Sequence, residues 1–317
     1  MKFLSATVLL LFAFAGSHAQ LYTTQGGSPL LLNPALTGAH NAALRINTIA
    51  SPNWHTYNNW HYLMSSTSAD YRTKSWGHGR QYAGIGLVHT YGTMAQGAFL
   101  DQTTQLSAAW HVQGGRKNLR QLSVGLSGGL ERDKEPFYED PIGPLPPASQ
   151  YRIRTRYQLG AGITYSQQIG KRLRYIVGAS TLFYGLDGPL LSQIRESFLD
   201  NKSYQTIIAG GEITLTNKWT LRPSLQRVYS FSHTATTWGT DVRYQPKQFA
   251  YYAGLWHSYH RVMAISAGVE HNRWRATGCY QYITNDAYIP TTGATLELGL
   301  QYKIWGHGRK AIPSQRY

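Results

Sequence analysis

Histidine, serine and acidic side chains would have to carry any chemistry in this chain, and their spacing does not assemble a reaction centre. The 12 histidines are scattered. His55 and His61 flank the Trp54–Trp60 aromatic cluster, and His78 sits in a WGHGR sequence that nearly recurs around His307. To bind a metal they would have to converge from different turns and acquire partners that orient each ring, so no metal site is expected. His233, His257 and His260 lie among serines and aspartates. A Ser/His or Asp/His hydrolase would need a nucleophile held beside its base, and nothing in the sequence fixes such a pair. No G-x-S-x-G elbow, H-E-x-x-H, phosphate-binding or dinucleotide fingerprint occurs. The reading is of a non-enzyme without a cofactor. Cys279 is the 1 cysteine. It excludes an internal disulfide and reads as a packing residue.

The elements that position these residues are read from a period of two. At the C-terminal end Ala294, Leu296, Leu298, Leu300, Tyr302 and Ile304 alternate with Thr295, Glu297, Gly299, Gln301 and Lys303. All the apolar residues share one face, which is the signature of a strand and not of a helix. The same alternation runs through Leu122–Leu130, Tyr157–Tyr165, Ile207–Leu215 and Met263–Val269. Many apolar faces end in Tyr, Trp or Phe, as the aromatic girdles of membrane barrels do. About fourteen segments emerge, each about 10 residues long, the length a tilted membrane strand needs. They are placed at 43–52, 62–71, 82–92, 103–112, 121–131, 157–166, 174–184, 204–215, 220–229, 235–244, 249–257, 262–271, 274–283 and 294–305. The fold expected is all-β, an outer-membrane antiparallel β-barrel with short periplasmic turns and longer extracellular loops. Pro223 weakens the segment 220–229, and 43–52 and 62–71 are only mildly apolar. The long connections are Arg132–Arg156, with four prolines between 141 and 147, and Gly185–Ser203, with a short helix expected in LLSQIRESFL.

Composition narrows the alternatives. Charged residues are 14% of the chain and aromatic residues 13%, with 23 tyrosines and 32 glycines, and mean hydropathy is −0.36. Disordered chains are rich in charge and poor in aromatic residues. A helical membrane protein needs apolar runs of about 20 residues, and the mature chain has none. A soluble β-sandwich also alternates, but its solvent faces should carry charge, and Tyr82–Thr93 and Gln102–Gln113 contain no Lys, Arg, Asp or Glu. Residues 1–19 read as a signal peptide: Lys2, an apolar core from Phe3 to Ala15, and Ser17-His18-Ala19 before a cleavage at Gln20. The division expected is 1–19 signal, 20–42 N-terminal periplasmic or plug-like segment, 43–305 barrel and 306–317 basic tail.

With 30 Lys+Arg against 15 Asp+Glu, the excess of positive charge falls on one rim. The turns expected in the periplasm hold Arg72, Lys74, Arg80, Arg116, Lys117, Arg120, Lys171 and Arg172, and no acidic residue. A basic platform of this kind suits an acidic partner or phosphate groups. It equally keeps turns in water beside an interface. Nucleic acid is not an expected partner, because the charge lies on separate turns of an exported chain.

The segment between the signal and the first strand contains Ser28-Pro29-Leu30-Leu31-Leu32-Asn33-Pro34-Ala35-Leu36-Thr37-Gly38-Ala39. It resembles the entry motif of the PorP/SprF family of type IX secretion system membrane proteins, with Asn33, Pro34, Ala35 and Gly38 as the matching positions. Gly84–Leu87, Leu122–Leu130 and the closing Glu297–Trp305 extend the likeness weakly, and Leu36 stands where an aromatic residue is usual. The resemblance implies a non-enzymatic outer-membrane accessory component of type IX protein secretion. Such a protein helps export, or anchor at the surface, a client with a C-terminal sorting domain. Its partners would be the type IX translocon or periplasmic secretion components, that client and outer-membrane lipid. A passive outer-membrane channel or small-molecule transporter is the alternative. From the residues alone, Pro34 pushes Asn33 to an extended conformation, Asn33 suits an Asx turn and Gly38 a tight turn. The segment either obstructs the lumen or closes the periplasmic end, and the second is the expectation.

Overall fold

The computed structural model describes residues 29–55, 61–94, 99–115, 119–136, 151–186, 203–229, 234–258, 262–283 and 293–305. The signal at 1–19, the helix expected in LLSQIRESFL at 190–199 and the basic tail lie outside these residues. A short helix α1 (Pro29–Leu32) and a 3-10 turn (Pro34–Leu36) precede fourteen strands. These are β1 (Leu44–His55), β2 (His61–Arg72), β3 (Gln81–Met94), β4 (Phe99–Gly114), β5 (Arg120–Pro136), β6 (Tyr151–Ile169) and β7 (Leu173–Leu186). They continue with β8 (Ser203–Thr214), β9 (Trp219–Tyr229), β10 (Thr234–Tyr244), β11 (Phe249–Ser258), β12 (Val262–His271), β13 (Trp274–Ile283) and β14 (Gly293–Ile304). Each strand pairs with its sequence neighbour, and β1 pairs antiparallel with β14, so the sheet closes into a barrel. Closure removes every unpaired strand edge, which a membrane requires.

The period of two becomes two faces with opposite chemistry. Ile85, Leu106, Leu126, Leu255, Ile265 and Leu298 point outward, each more than half exposed. Ser68, Gln105, Ser107, Ser123, Thr164 and Gln301 point inward and are buried. Burial of polar side chains with exposure of apolar ones inverts the pattern of a water-soluble protein and fits a wall facing lipid. Aromatic residues ring the outer surface near the turns, with Trp219 against Tyr244 at 4.4 Å and Trp274 against Tyr302 at 4.2 Å between ring centroids.

One departure from the expected strands, and the survival of the strand weakened by Pro223, have physical causes. The wall extends beyond Arg132 and begins again before Arg156, because β5 runs to Pro136 and β6 starts at Tyr151. Apolar alternation stops there but charge takes over: Glu131 faces Arg156 and Asp133 faces Arg154 across the two strands. Opposite charges directly across an antiparallel pair stabilise it. Pro223 is tolerated inside β9 because the β8–β9 ladder skips from Gly210–Ser224 to Ile213–Leu221. The missing donor of the proline therefore falls in a gap of that ladder.

Candidate functional site

The segment before β1 enters the lumen from the turn end and packs against the inner wall. Asn33 is extended (φ −161°, ψ 120°), as a residue before proline prefers. Its Oδ1 accepts from the Ala35 backbone N–H at 2.9 Å. Its Nδ2 donates to the carbonyls of Ile163 at 3.3 Å and Ala179 at 3.0 Å, so the amide ties the segment to β6 and β7. Ser180 Oγ donates to the Leu32 carbonyl at 2.8 Å. Thr37 Oγ1 donates to Ser107 Oγ at 2.9 Å, and the Thr37 carbonyl lies 2.7 Å from His111 Nε2. Asn33, Ala35 and Thr37 are fully buried.

The wall beneath the segment is shaped by glycine. A Cβ on Gly162 would lie 2.0 Å from Asn33 Oδ1, one on Gly125 would lie 2.4 Å from the Pro34 carbonyl carbon, and one on Gly84 would lie 2.0 Å from the Thr37 oxygen. Three strands thus leave out a side chain where the segment's backbone lies. Gly38 turns the chain toward β1 with φ +71°, in the left-handed region that glycine favours. Its N–H donates to Asp70 Oδ2 at 2.7 Å. The same carboxylate takes a two-pronged contact from Arg45, Nε at 2.9 Å and Nη2 at 2.8 Å. His40 Nε2 lies 3.3 Å from it. Asp70 is therefore a buried acceptor for one backbone N–H and a guanidinium, a geometry that satisfies the charge.

The opposite wall carries charge without such saturation. Arg222, Arg243, Arg275 and Lys303 face the lumen together with Asp241 and Glu270. Lys303 Nζ lies 3.7 Å from Glu270 Oε1 and Arg222 Nη2 lies 3.6 Å from Asp241 Oδ2. Tyr252 donates to Glu270 and accepts from Arg243 Nε at 3.2 Å. Its ring carries the guanidinium of Arg275 at 4.5 Å and that of Arg222 at 4.8 Å. Between this wall and the luminal segment lies a cavity of about 120 Å³.

The residues singled out from sequence are divided by the structure. Asn33, Pro34, Ala35 and Gly38 come together in the luminal segment. Lys74, Arg80, Arg120, Lys171 and Arg172 are exposed at the turn end, joined there by Lys218, Lys247 and Arg273, with no acidic residue among the described turns. Arg72 differs from them. It is buried beneath the Tyr82 ring at 3.7 Å and donates to the His40 carbonyl at 2.7 Å, so it faces the lumen and not the rim. Arg116 and Lys117 lie outside the described residues, as do His233, His260 and His307. His78 sits in the turn between β2 and β3 with φ 58°, and Cys279 is buried beside Trp256 and Ala264. At the loop end Asp101, Glu131 and Asp133 bring carboxylate oxygens within 4.8 Å of one another, with Gln158 on Glu131 and Arg156 on Asp133. Asp70 and His111 stand in no sequence motif, and Arg45 only follows the entry motif. The available signal was an isolated charge on the polar face of two weakly apolar strands.

Comparison with known proteins adds family and fold. The family model of the type IX secretion system membrane protein PorP/SprF matches residues 17–302. No curated protein matches the chain. Among solved structures it is similar to the CymD monoaromatic hydrocarbon channel, with TM-score 0.56, 10% identity, and 92% of this chain and 96% of that one covered. It is similar also to the P. putida toluene transporter TodX, with TM-score 0.55, 8% identity and coverage of 92% and 97%. A TodX deltaS2 mutant gives TM-score 0.61 at 9% identity, covering 89% and 95%. At these identities the likeness is one of fold.

Proposed function

The chain belongs to the PorP/SprF family of type IX secretion system membrane proteins, and we propose that it is a non-enzymatic accessory barrel of that system. It sits in the outer membrane and helps export, or hold at the cell surface, a client with a C-terminal sorting domain. The observation that carries this reading is the luminal segment. A barrel that shapes its wall with Gly84, Gly125 and Gly162 to hold its own Asn33–Gly38 is built to keep a fixed interior. Its contacts with other proteins then fall to its two ends. The turn end, taken as periplasmic, presents Lys74, Arg80, Lys171, Arg172, Lys218, Lys247 and Arg273 in water. Such a surface attracts acidic components of the secretion machinery and steers their encounter. The loop end faces the client. Cleavage before Gln20 delivers the chain to this membrane.

The rival is a passive channel or small-molecule transporter, which draws support from the space left beside the segment. Affinity purification from native membranes separates the two. Translocon components or a sorting-domain protein are expected to co-purify. Reversal of Lys171, Arg172 and Lys218 to Glu is expected to weaken that association while the heat-modifiable mobility of the folded barrel stays unchanged. Steady ohmic conductance with no co-purifying partner would favour the channel.

A further inference from the structure

We propose that the luminal cavity is a binding site for a small amphipathic monocarboxylate. The cavity lies between the segment and strands β7 to β10, with Arg275 reaching it from β13. Leu32 and Leu36 of the segment form one apolar wall, and Ile176 and Ile208 of the barrel form the other. Its polar lining comes from Arg174, Arg222, Arg275, Ser224, Glu212 and Asp241. Arg174 and Glu212 face each other across β7 and β8, and Arg222, Arg243, Arg275 and Lys303 then stand against Asp241 and Glu270, which leaves positive charge in excess. A cation would add to that excess, and a neutral hydrocarbon would leave it standing.

The open hydrogen-bonding groups point to the same class of ligand. Arg222 Nε and Nη2, Arg275 Nε and Ser224 Oγ are buried without a hydrogen-bond acceptor among the described residues. The carboxylate nearest to Arg222 Nη2 is that of Asp241, at 3.6 Å, beyond hydrogen-bond reach. The other Asp241 oxygen accepts from Ser266 at 3.3 Å. Buried donors of this kind are paired in native proteins, and the planar fork of a guanidinium matches a carboxylate. The Tyr252 ring lies against both guanidinium groups, at 4.5 Å and 4.8 Å, and limits their movement before a ligand arrives. The site therefore has a polar end of Arg222, Arg275 and Ser224, and an apolar body between Leu36 and Ile208. Its volume, about 120 Å³, suits a small organic acid and is too large for a single water.

The inference is independent of the secretion partner, and a ligand titration tests it. Purified full-length mature protein in a nonionic detergent is titrated with hexanoate and, separately, with hexanamide. Hexanoate is expected to bind saturably at one site. Hexanamide, which lacks the charge, is expected to bind about tenfold or more weakly, as is hexanoate to Arg222→Gln or Arg275→Gln. Ile208→Trp fills the apolar end and is expected to abolish binding while the folded mobility of the barrel persists. If one variant fails to fold, the hexanoate-to-hexanamide ratio in the unmodified protein still decides. Equal binding of the two compounds, or no saturable binding of hexanoate, would overturn the proposal.

Discussion

The two sides of the lumen solve the problem of buried polar groups in opposite ways. On the side of β2 to β7, the chain supplies its own ligand. Asn33, Gly38 and Thr37 are matched atom by atom to wall carbonyls, Asp70 and Ser107, and glycines remove the side chains that would interfere. On the side of β8 to β14, positive charge is concentrated around Tyr252 and Glu270, and buried guanidinium N–H groups remain open. A barrel wall thus tolerates buried polarity either by satisfying it internally or by leaving room for something that will. The first side fixes a segment and the second keeps a space.

The sharpest way to break the contrast is to remove the central acceptor of the ordered side. Asp70→Ala strands the buried Arg45 guanidinium and the Gly38 N–H, at an expected cost of about 3–5 kcal/mol. Loss of heat-modifiable folding, or a matching shift in a denaturant titration, would register it. A change below about 1 kcal/mol would show that the pair is not a fixed part of the seat. A smaller effect is expected from Gly162→Ala, whose new methyl collides with Asn33 Oδ1. Overpacking of this type costs about 1–3 kcal/mol, and limited proteolysis should cut the luminal segment more readily while the strands stay protected. The smallest effect belongs to the same substitution on the other side. A Cβ on Gly210 meets only ordinary contact, 3.4 Å from Ile176 Cγ2. Gly210→Ala is therefore expected to stay within about 0.5 kcal/mol of the unmodified protein. Equal responses of Gly162→Ala and Gly210→Ala would erase the distinction between the two walls.

Much of this barrel is legible in the residues, because each transmembrane strand must show one face to lipid and the other to the lumen. Leu296, Leu298 and Leu300 alternating with Glu297 and Gly299 leave few other readings. Legibility ends where alternation changes its chemistry. The extension of β5 and β6 is written in paired charges, Glu131 with Arg156 and Asp133 with Arg154, which look like loop until the partner strand is known. Arg72 shows a second limit. Period two puts it on the face of Ser68 and Asp70, but at the end of β2 that face can finish in solvent, and it is the Tyr82 ring and the His40 carbonyl that hold Arg72 in the lumen. The luminal segment shows a third. The extended Asn33 and the turn at Gly38 follow from local rules, but the seat depends on Gly84, Gly125 and Gly162. Those glycines are distant in sequence and carry no side chain to advertise a contact. Asp70 is a single charge on a mildly apolar strand, and its role is visible only once Arg45 and the Gly38 N–H are seated on it.

The measurement closest to the central claim is planar-bilayer conductance of the mature protein beside a variant lacking residues 29–42. The intact barrel is expected to give little steady current, and the shortened one to give regular ohmic openings. Identical ohmic conductance from both would contradict a lumen filled by the chain's own N-terminal segment.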